Sequence, residues 1–209
     1  MDHIHGDYFA PPYMQYRRSN FDQMMNRNWI PQCVVESYKS NDGEPSCDEL
    51  STALPADLSK QLVPLSPTDP QALAIFPHVI GAPEKGGMCS GKATVYKVKD
   101  GESIQMSRGF NAAGNHPFSH WWNFGPPPTG ESPDDYKRKD EMCADVNHMN
   151  TCNLKAGQLI AVGPGESMKC DNTIYPRARD NPLQVYVPNG SNESSFICQV
   201  PHNITPFPK

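Results

Sequence analysis

No apolar run in this sequence approaches the roughly 20 residues that a membrane-spanning helix requires, so no membrane anchor is expected. Basic residues do not gather either. The 18 Lys and Arg stand against 23 Asp and Glu, a formal net charge of −5, which provides no basic field for a phosphate backbone. Nucleic-acid scaffold binding is therefore disfavoured, although an enzyme that acts on RNA is not excluded. HExxH, GxSxG, GxxxxGK[ST] and the EF-hand loop are all missing, which removes zincins, α/β-hydrolases, P-loop NTPases and EF-hand proteins. CxxC is missing too, which argues against a structural zinc site. The first residues, MDHIHGDYFAPPY, lack the basic start and apolar centre of a secretory leader. Any export is expected to follow another route, unless a leader has been lost.

What the sequence holds in quantity is proline and glycine, 22 and 15 of 209 residues, so long regular elements are expected to be scarce. Proline recurs every few residues from Pro55 to Pro83, which limits helices there to two or three turns. Residues 1–90 therefore read as a Pro-rich N-terminal extension packed on the core, and residues 91–209 as the more regular, catalytic part. Within the extension, SNFDQMMNRNW offers a helix cap at Ser19 or Asn20, and PTDPQALAIF a short helix after Asp69 with Pro70 in its first position. From Lys92 the pattern turns to strands: KATVYKVKD as a sheet edge, then GQLIAVGPG, PLQVYVPNG and SFICQVP. SPDDYKRKDEMC predicts one more helix, capped by Ser132, with Pro133 first and Asp134 and Asp135 at its positive end. The expected fold class is α+β: a mixed or antiparallel sheet in residues 92–200, short helices, and the Pro-rich segment wrapped over it.

Seven cysteines exceed what a reducing compartment usually needs. Their positions suggest Cys33 with Cys47, Cys143 with Cys152, and Cys170 with Cys198, leaving Cys89 alone. Reduced cysteines buried as small hydrophobes are the equal alternative.

Four features could carry chemistry. The GPGES run, Gly163–Ser167, has backbone amides that could hold an anion, but a tight strand connection explains it better. His116 and His120 lie four apart, yet Pro117 between them spoils a helical metal pair. Either remains a candidate general acid or base, and Cys89 with one of them could form a nucleophilic pair. Trp121 and Trp122 point to opposite faces if their segment is extended. One then enters the core while the other, with Phe124 and Pro126–Pro128, forms a flat wall suited to a nicotinamide, purine or sugar ring; a small aromatic core around both is the competing account.

The stretch VYKVKDGESI followed by SRGFNAAG, within Thr94–Pro117, resembles the opening of bacterial ADP-ribosyltransferase toxins of the cholera and pierisin type. The family's NAD-contacting Arg falls on Lys97. More broadly, residues 94 to about 187 resemble C-terminal toxin domains of bacterial polymorphic and secretion-system effectors. The resemblance implies a secreted toxin-like effector that takes NAD as substrate, by glycohydrolysis or ADP-ribosyl transfer, with no other cofactor, and an immunity protein as partner. On that reading Tyr96, Lys97 and Arg108 approach NAD, Trp121 or Trp122 stacks on the nicotinamide, and Lys97, His116, His120 and Glu166 are the catalytic candidates, with Asp145 a further carboxylate candidate. A cell-envelope hydrolase using Cys89 or a histidine, and a non-enzymatic disulfide-supported binding module, are the alternatives.

Overall fold

The computed structural model describes residues 43–199 and 204–208. The candidate cap at Ser19 or Asn20, and Cys33, lie outside these residues.

Two helices form where the caps predict, and a third, Ala56–Gln61 (α1), forms without a predicted cap. Helix α2 spans Pro70–Val79 and starts on Asp69, whose side chain accepts from the Gln71 N–H at 2.8 Å, satisfying one of the free donors of the first turn. Its buried positions, Ala72, Ile75 and Val79, share one face by their i, i+3, i+7 spacing. Helix α3, Pro133–Lys139, is capped by Ser132, whose hydroxyl accepts from Asp135 N–H. Acidic residues occupy its first turn and three basic residues its last, both orientations favoured by the helix dipole.

The strands are β1 Leu62–Pro64, β2 Thr94–Val98, β3 Ile104–Phe110, β4 Trp121–Phe124, β5 His148–Leu154, β6 Leu159–Pro164, β7 Met168–Cys170, β8 Thr173–Tyr175, β9 Leu183–Tyr186, β10 Phe196–Ile197 and β11 Ile204–Pro206. Eight of them make one curled, wholly antiparallel path in the order β1-β2-β6-β9-β4-β3-β5-β10, with β11 also on β5 and β7-β8 a separate ribbon. The α+β class therefore holds, with most of the regular structure in strands. The KATVYKVKD strand is not the sheet edge, because β1 pairs outside it, Leu62 opposite Val98. Residues 62–79 thus supply both a strand and a covering helix to the sheet.

Alternation assigns each side chain to one of two faces. The concave face carries Val98, Ile160, Val162, Val185, Trp122, Met106, Ile104 and Leu154, a core joined by Phe118 and Phe196. The convex face carries Val95 and Ala161, covered by α2 through Ala72, Ile75 and Val79, with Met88 beneath. Strand β6 is consequently apolar on both sides, which explains the unbroken LIAV run. Tyr136 of α3 covers the far end of the convex face with Val146, Met149 and Phe207. Gly109 is required there, since a Cβ would lie 2.6 Å from the Tyr136 ring.

Three disulfides staple the described residues: Cys47–Cys89, Cys143–Cys170 and Cys152–Cys198. All three expected pairings are replaced: Cys47 bonds Cys89 rather than Cys33, Cys143 bonds Cys170 and Cys152 bonds Cys198. Cys152 sits on β5 facing the concave core, where β10 brings Cys198 alongside; Cys143 lies outside that core, toward the β7-β8 ribbon. Cys89 is not a free thiol. Several disulfides are typical of proteins matured in an oxidising, extracellular setting, and no helix among the described residues is long and apolar enough to cross a membrane.

Candidate functional site

The residues singled out by sequence do not converge. Lys97 pairs opposite Leu159 at the start of β6, while Glu166 lies seven residues on, beyond its end. At about 3.3 Å per residue the two are separated by roughly 20 Å of strand. Tyr96 points into the concave core and Lys97 outward, exposed. Arg108 opens onto the concave side, donates Nη1 to the Trp121 carbonyl at 3.1 Å, and has its pKa lowered by burial; its Nε is buried without a partner.

The histidines serve the backbone. His116 Nδ1 accepts from the Phe118 N–H at 3.1 Å, and His120 Nδ1 donates to the Val187 carbonyl at 3.1 Å while its ring stacks on Tyr186. Asp145 is exposed and paired with Lys137 at 3.0 Å, which raises the lysine pKa. In the GPGES run, Gly163 and Pro164 finish β6 and the Glu166 N–H donates to the Gly87 carbonyl, so that amide is not available to an anion.

The tryptophans divide as alternation requires. Trp122 is 3% exposed, packs on Phe118 and Phe196, and donates its indole N–H to the Ser119 carbonyl at 2.6 Å. Buried this way, it cannot stack on a ligand. Trp121 lies on the convex face, half-buried, edge-on to Tyr186 with ring centroids 5.2 Å apart. The β4–β9 pairing sets Trp121 opposite Tyr186, and the β6–β9 pairing sets Gly163 opposite Gln184. Period two therefore places the Trp121–Tyr186 aromatic pair one row from Asn123 and Gln184 on the same face.

Next to that aromatic pair the structure gathers polar groups that sequence reasoning missed. Asn123 donates from Nδ2 to the Tyr136 hydroxyl at 2.9 Å and to Asp140 Oδ2 at 2.8 Å. Gln184 donates from Nε2 to the Asp140 carbonyl at 3.2 Å and to Glu141 Oε2 at 3.0 Å, and Asn181 donates to Glu141 Oε1 at 3.0 Å. Burial drives the carboxyls toward their neutral forms, Asp140 to about 6 and Glu141 to about 9; the nearby acids Glu166, Asp140 and Glu44 push Glu141 further in that direction. Glu141 also sits at φ 51°, the left-handed conformation usual for the residue just past a helix end, where the Met142 N–H turns back to the Lys137 carbonyl at 3.0 Å. The Gln184 Oε1 and Asn181 Oδ1 acceptors are buried without a partner.

Gly165 makes the close approach possible, since a Cβ there would stand 1.9 Å from Glu141 Oε2. Gly165 and Asn181, each touching Glu141, line a cleft of about 190 Å³ with Leu50, Ala53, Leu183 and Arg179. Behind it, Glu166 meets Arg177 Nη1 at 3.3 Å and accepts from the Ser167 N–H at 2.8 Å. Burial outweighs both and raises its pKa. Arg177 also holds Glu44: its N–H donates to Oε1 at 2.7 Å, and Nε lies 3.3 Å from the same oxygen at an angle that makes no hydrogen bond.

The signal for this cluster was present but quiet: a lone Gln in the apolar strand PLQVYV, and an acidic pair, Asp140–Glu141, directly after a capped helix. The arrangement can hold a proton on a carboxyl at neutral pH beside an aromatic surface, with two carboxamides fixing its orientation. No known protein family, curated protein or solved structure matches the chain.

Proposed function

We propose that this chain is a secreted toxin-like effector that cleaves the nicotinamide–ribose bond of NAD, as a glycohydrolase or ADP-ribosyltransferase. The observation that carries the reading is the buried carboxyl of Glu141, held by Asn181 and by Gln184 behind a cleft, with Gln184 one row of the sheet from the Trp121–Tyr186 pair. Loss of nicotinamide leaves an oxocarbenium-like ribose. The nicotinamide ring nitrogen leaves with the bonding pair and takes no proton, so such a transition state is served by a donor that hydrogen-bonds the carboxamide of the departing base and by an ionised carboxylate that faces the developing cation. Glu141 has the protonation state for the first role. Asp140, half-ionised near pH 6 and fully so above it, has the charge for the second. Trp121 offers the outward ring on which the base would stack. Lys97 has no part in this version, because it lies at the opposite end of β6.

Incubation of the disulfide-intact protein with NAD tests the reading. Turnover that is lost in Glu141→Gln and Trp121→Ala but kept in Lys97→Ala supports it, and intact NAD after long incubation overturns it. The hydrolase alternative built on Cys89 loses its nucleophile to the Cys47–Cys89 disulfide. A binding module is the remaining second reading, favoured by the outward Trp121 and Tyr186 rings, which suit a sugar as well as a nicotinamide.

A further inference from the structure

Cys47, Cys89 and Glu166 place two sulfurs and a carboxylate oxygen within 4.8 Å of one another, although they come from three separate parts of the chain. Cys89 is fully buried and Glu166 nearly so. Glu166 Oε2 lies 3.6 Å from Cys47 Sγ and 3.9 Å from Cys89 Sγ. In the disulfide neither sulfur carries a hydrogen, so these contacts are not hydrogen bonds and the sulfurs do nothing to satisfy the buried carboxylate. Arg177 Nη1, at 3.4 Å, is left to serve that oxygen.

The same distances have a chemical meaning once the disulfide is opened. Zinc binds thiolate sulfur at about 2.3 Å and carboxylate oxygen at about 2.0–2.2 Å, and tetrahedral angles then put sulfur and oxygen about 3.6 Å apart and the two sulfurs about 3.8 Å apart. The sulfur–oxygen spacing is already in place. The sulfurs need to part by roughly 1.7 Å from a bonded separation of about 2.05 Å, a movement within reach of side-chain rotation.

We propose that Cys47, Cys89 and Glu166 form a redox-gated zinc site: a disulfide when oxidised, and a two-thiolate, one-carboxylate Zn²⁺ centre when reduced. The step balances. A dithiol or phosphine reductant supplies two electrons and the S–S bond breaks; with two protons this gives two thiols, and Zn²⁺ then displaces both protons as it binds the thiolates. Arg177, with Nη1 3.3 Å from Cys47 Sγ, and Glu44 beside it complete the electrostatics. Two thiolates, Glu166 and Glu44 oppose Zn²⁺ and the guanidinium, leaving a single net negative charge. The mixed sulfur and oxygen donors favour zinc over the all-oxygen preference of Mg²⁺ and Ca²⁺. This site stands on its own geometry and does not depend on the NAD reading.

The test uses the full chain, reduced anaerobically with a phosphine, desalted and given one equivalent of Zn²⁺, with bound metal read by native mass spectrometry and affinity by chelator competition. The expected result is one zinc per chain, absent from the oxidised protein. Co²⁺ in its place should give thiolate-to-metal charge-transfer absorption. Glu166→Gln, whose fold is checked in the oxidised state, should weaken zinc by at least the roughly 10–100-fold that even supporting residues contribute, and Cys89→Ser by more. The Cys143→Ser/Cys170→Ser double variant should bind as wild type does. Reduced wild type without stoichiometric zinc, or equal binding in Glu166→Gln and Cys89→Ser, overturns the proposal.

Discussion

Replacing Glu141 by glutamine should stabilise the protein, and by an amount that grows with pH. The carboxyl is held near 9 in the folded state against an ordinary value of 4.5. A carboxyl raised by folding binds more protons in the native than in the unfolded chain across that interval, so its contribution is fully present below about pH 4.5 and is lost as pH rises toward about 9. Each unit is worth about 1.4 kcal/mol, so between about pH 6 and 8.5 this one group withdraws roughly 3 kcal/mol from wild type. Asp140 has the same sign but is spent by about pH 6, which leaves the upper window to Glu141. Glutamine keeps the shape, cannot ionise, and can donate to the Gln184 oxygen that now has no partner once that carboxamide turns over. Urea unfolding under non-reducing conditions, followed by tryptophan fluorescence, measures both proteins across the window. The expected result is a steep decline in wild type and a shallower one in Glu141→Gln, the gap widening by roughly 3 kcal/mol. Parallel pH profiles would show that Glu141 is ionised in the folded protein and would refute both the burial argument and its use as a neutral acid.

Trp122→Ala should cost about 3–5 kcal/mol by emptying a core site, against about 1 kcal/mol for half-buried Trp121→Ala, so only the second separates binding from folding in an NAD assay. Gly165→Ala, whose methyl would overlap Glu141 Oε2, should lose about 1–3 kcal/mol to overpacking and abolish NAD turnover; unchanged melting would mean that Glu141 does not lie over Gly165. Removing the Cys143–Cys170 bridge, which closes a loop across a separation of 27 residues, should cost roughly 3–4 kcal/mol, read by the same urea titration.

The elements that could be read from sequence are those whose signal is local. Asp69 with Pro70 and Ser132 with Pro133 announce α2 and α3 because a cap and a proline suffice to start a helix. Strands β2, β6 and β9 show through their β-branched runs between turns. Strand β4 does not, since four residues among proline and glycine become a strand only when β3 and β9 flank them. β3 hides behind Gly109, which is small because Tyr136 lies over it. The site was hidden for the same reason: Asp140, Glu141 and Gln184 meet through tertiary pairing, and no spacing along the chain encodes it. The Trp121–Trp122 division was legible because a period of two is a property of the strand itself.

The disulfide connectivity also bears on how the chain must be oxidised. Cys143–Cys170 and Cys152–Cys198 overlap, so the segment from 152 to 170 belongs to both closed loops, and neither bridge joins nearest neighbours. A chain oxidised as an open coil meets Cys152 from Cys143 first, since short loops close most readily. That bond would tie a core-facing residue of β5 to a loop on the other side of the sheet. Correct pairing follows directly if β5 and β10 come together before oxidation, whereas a chain oxidised first needs thiol exchange to undo the nearest-neighbour bond. An environment that oxidises the unfolded chain without isomerising its disulfides would therefore yield the right composition and the wrong pairing.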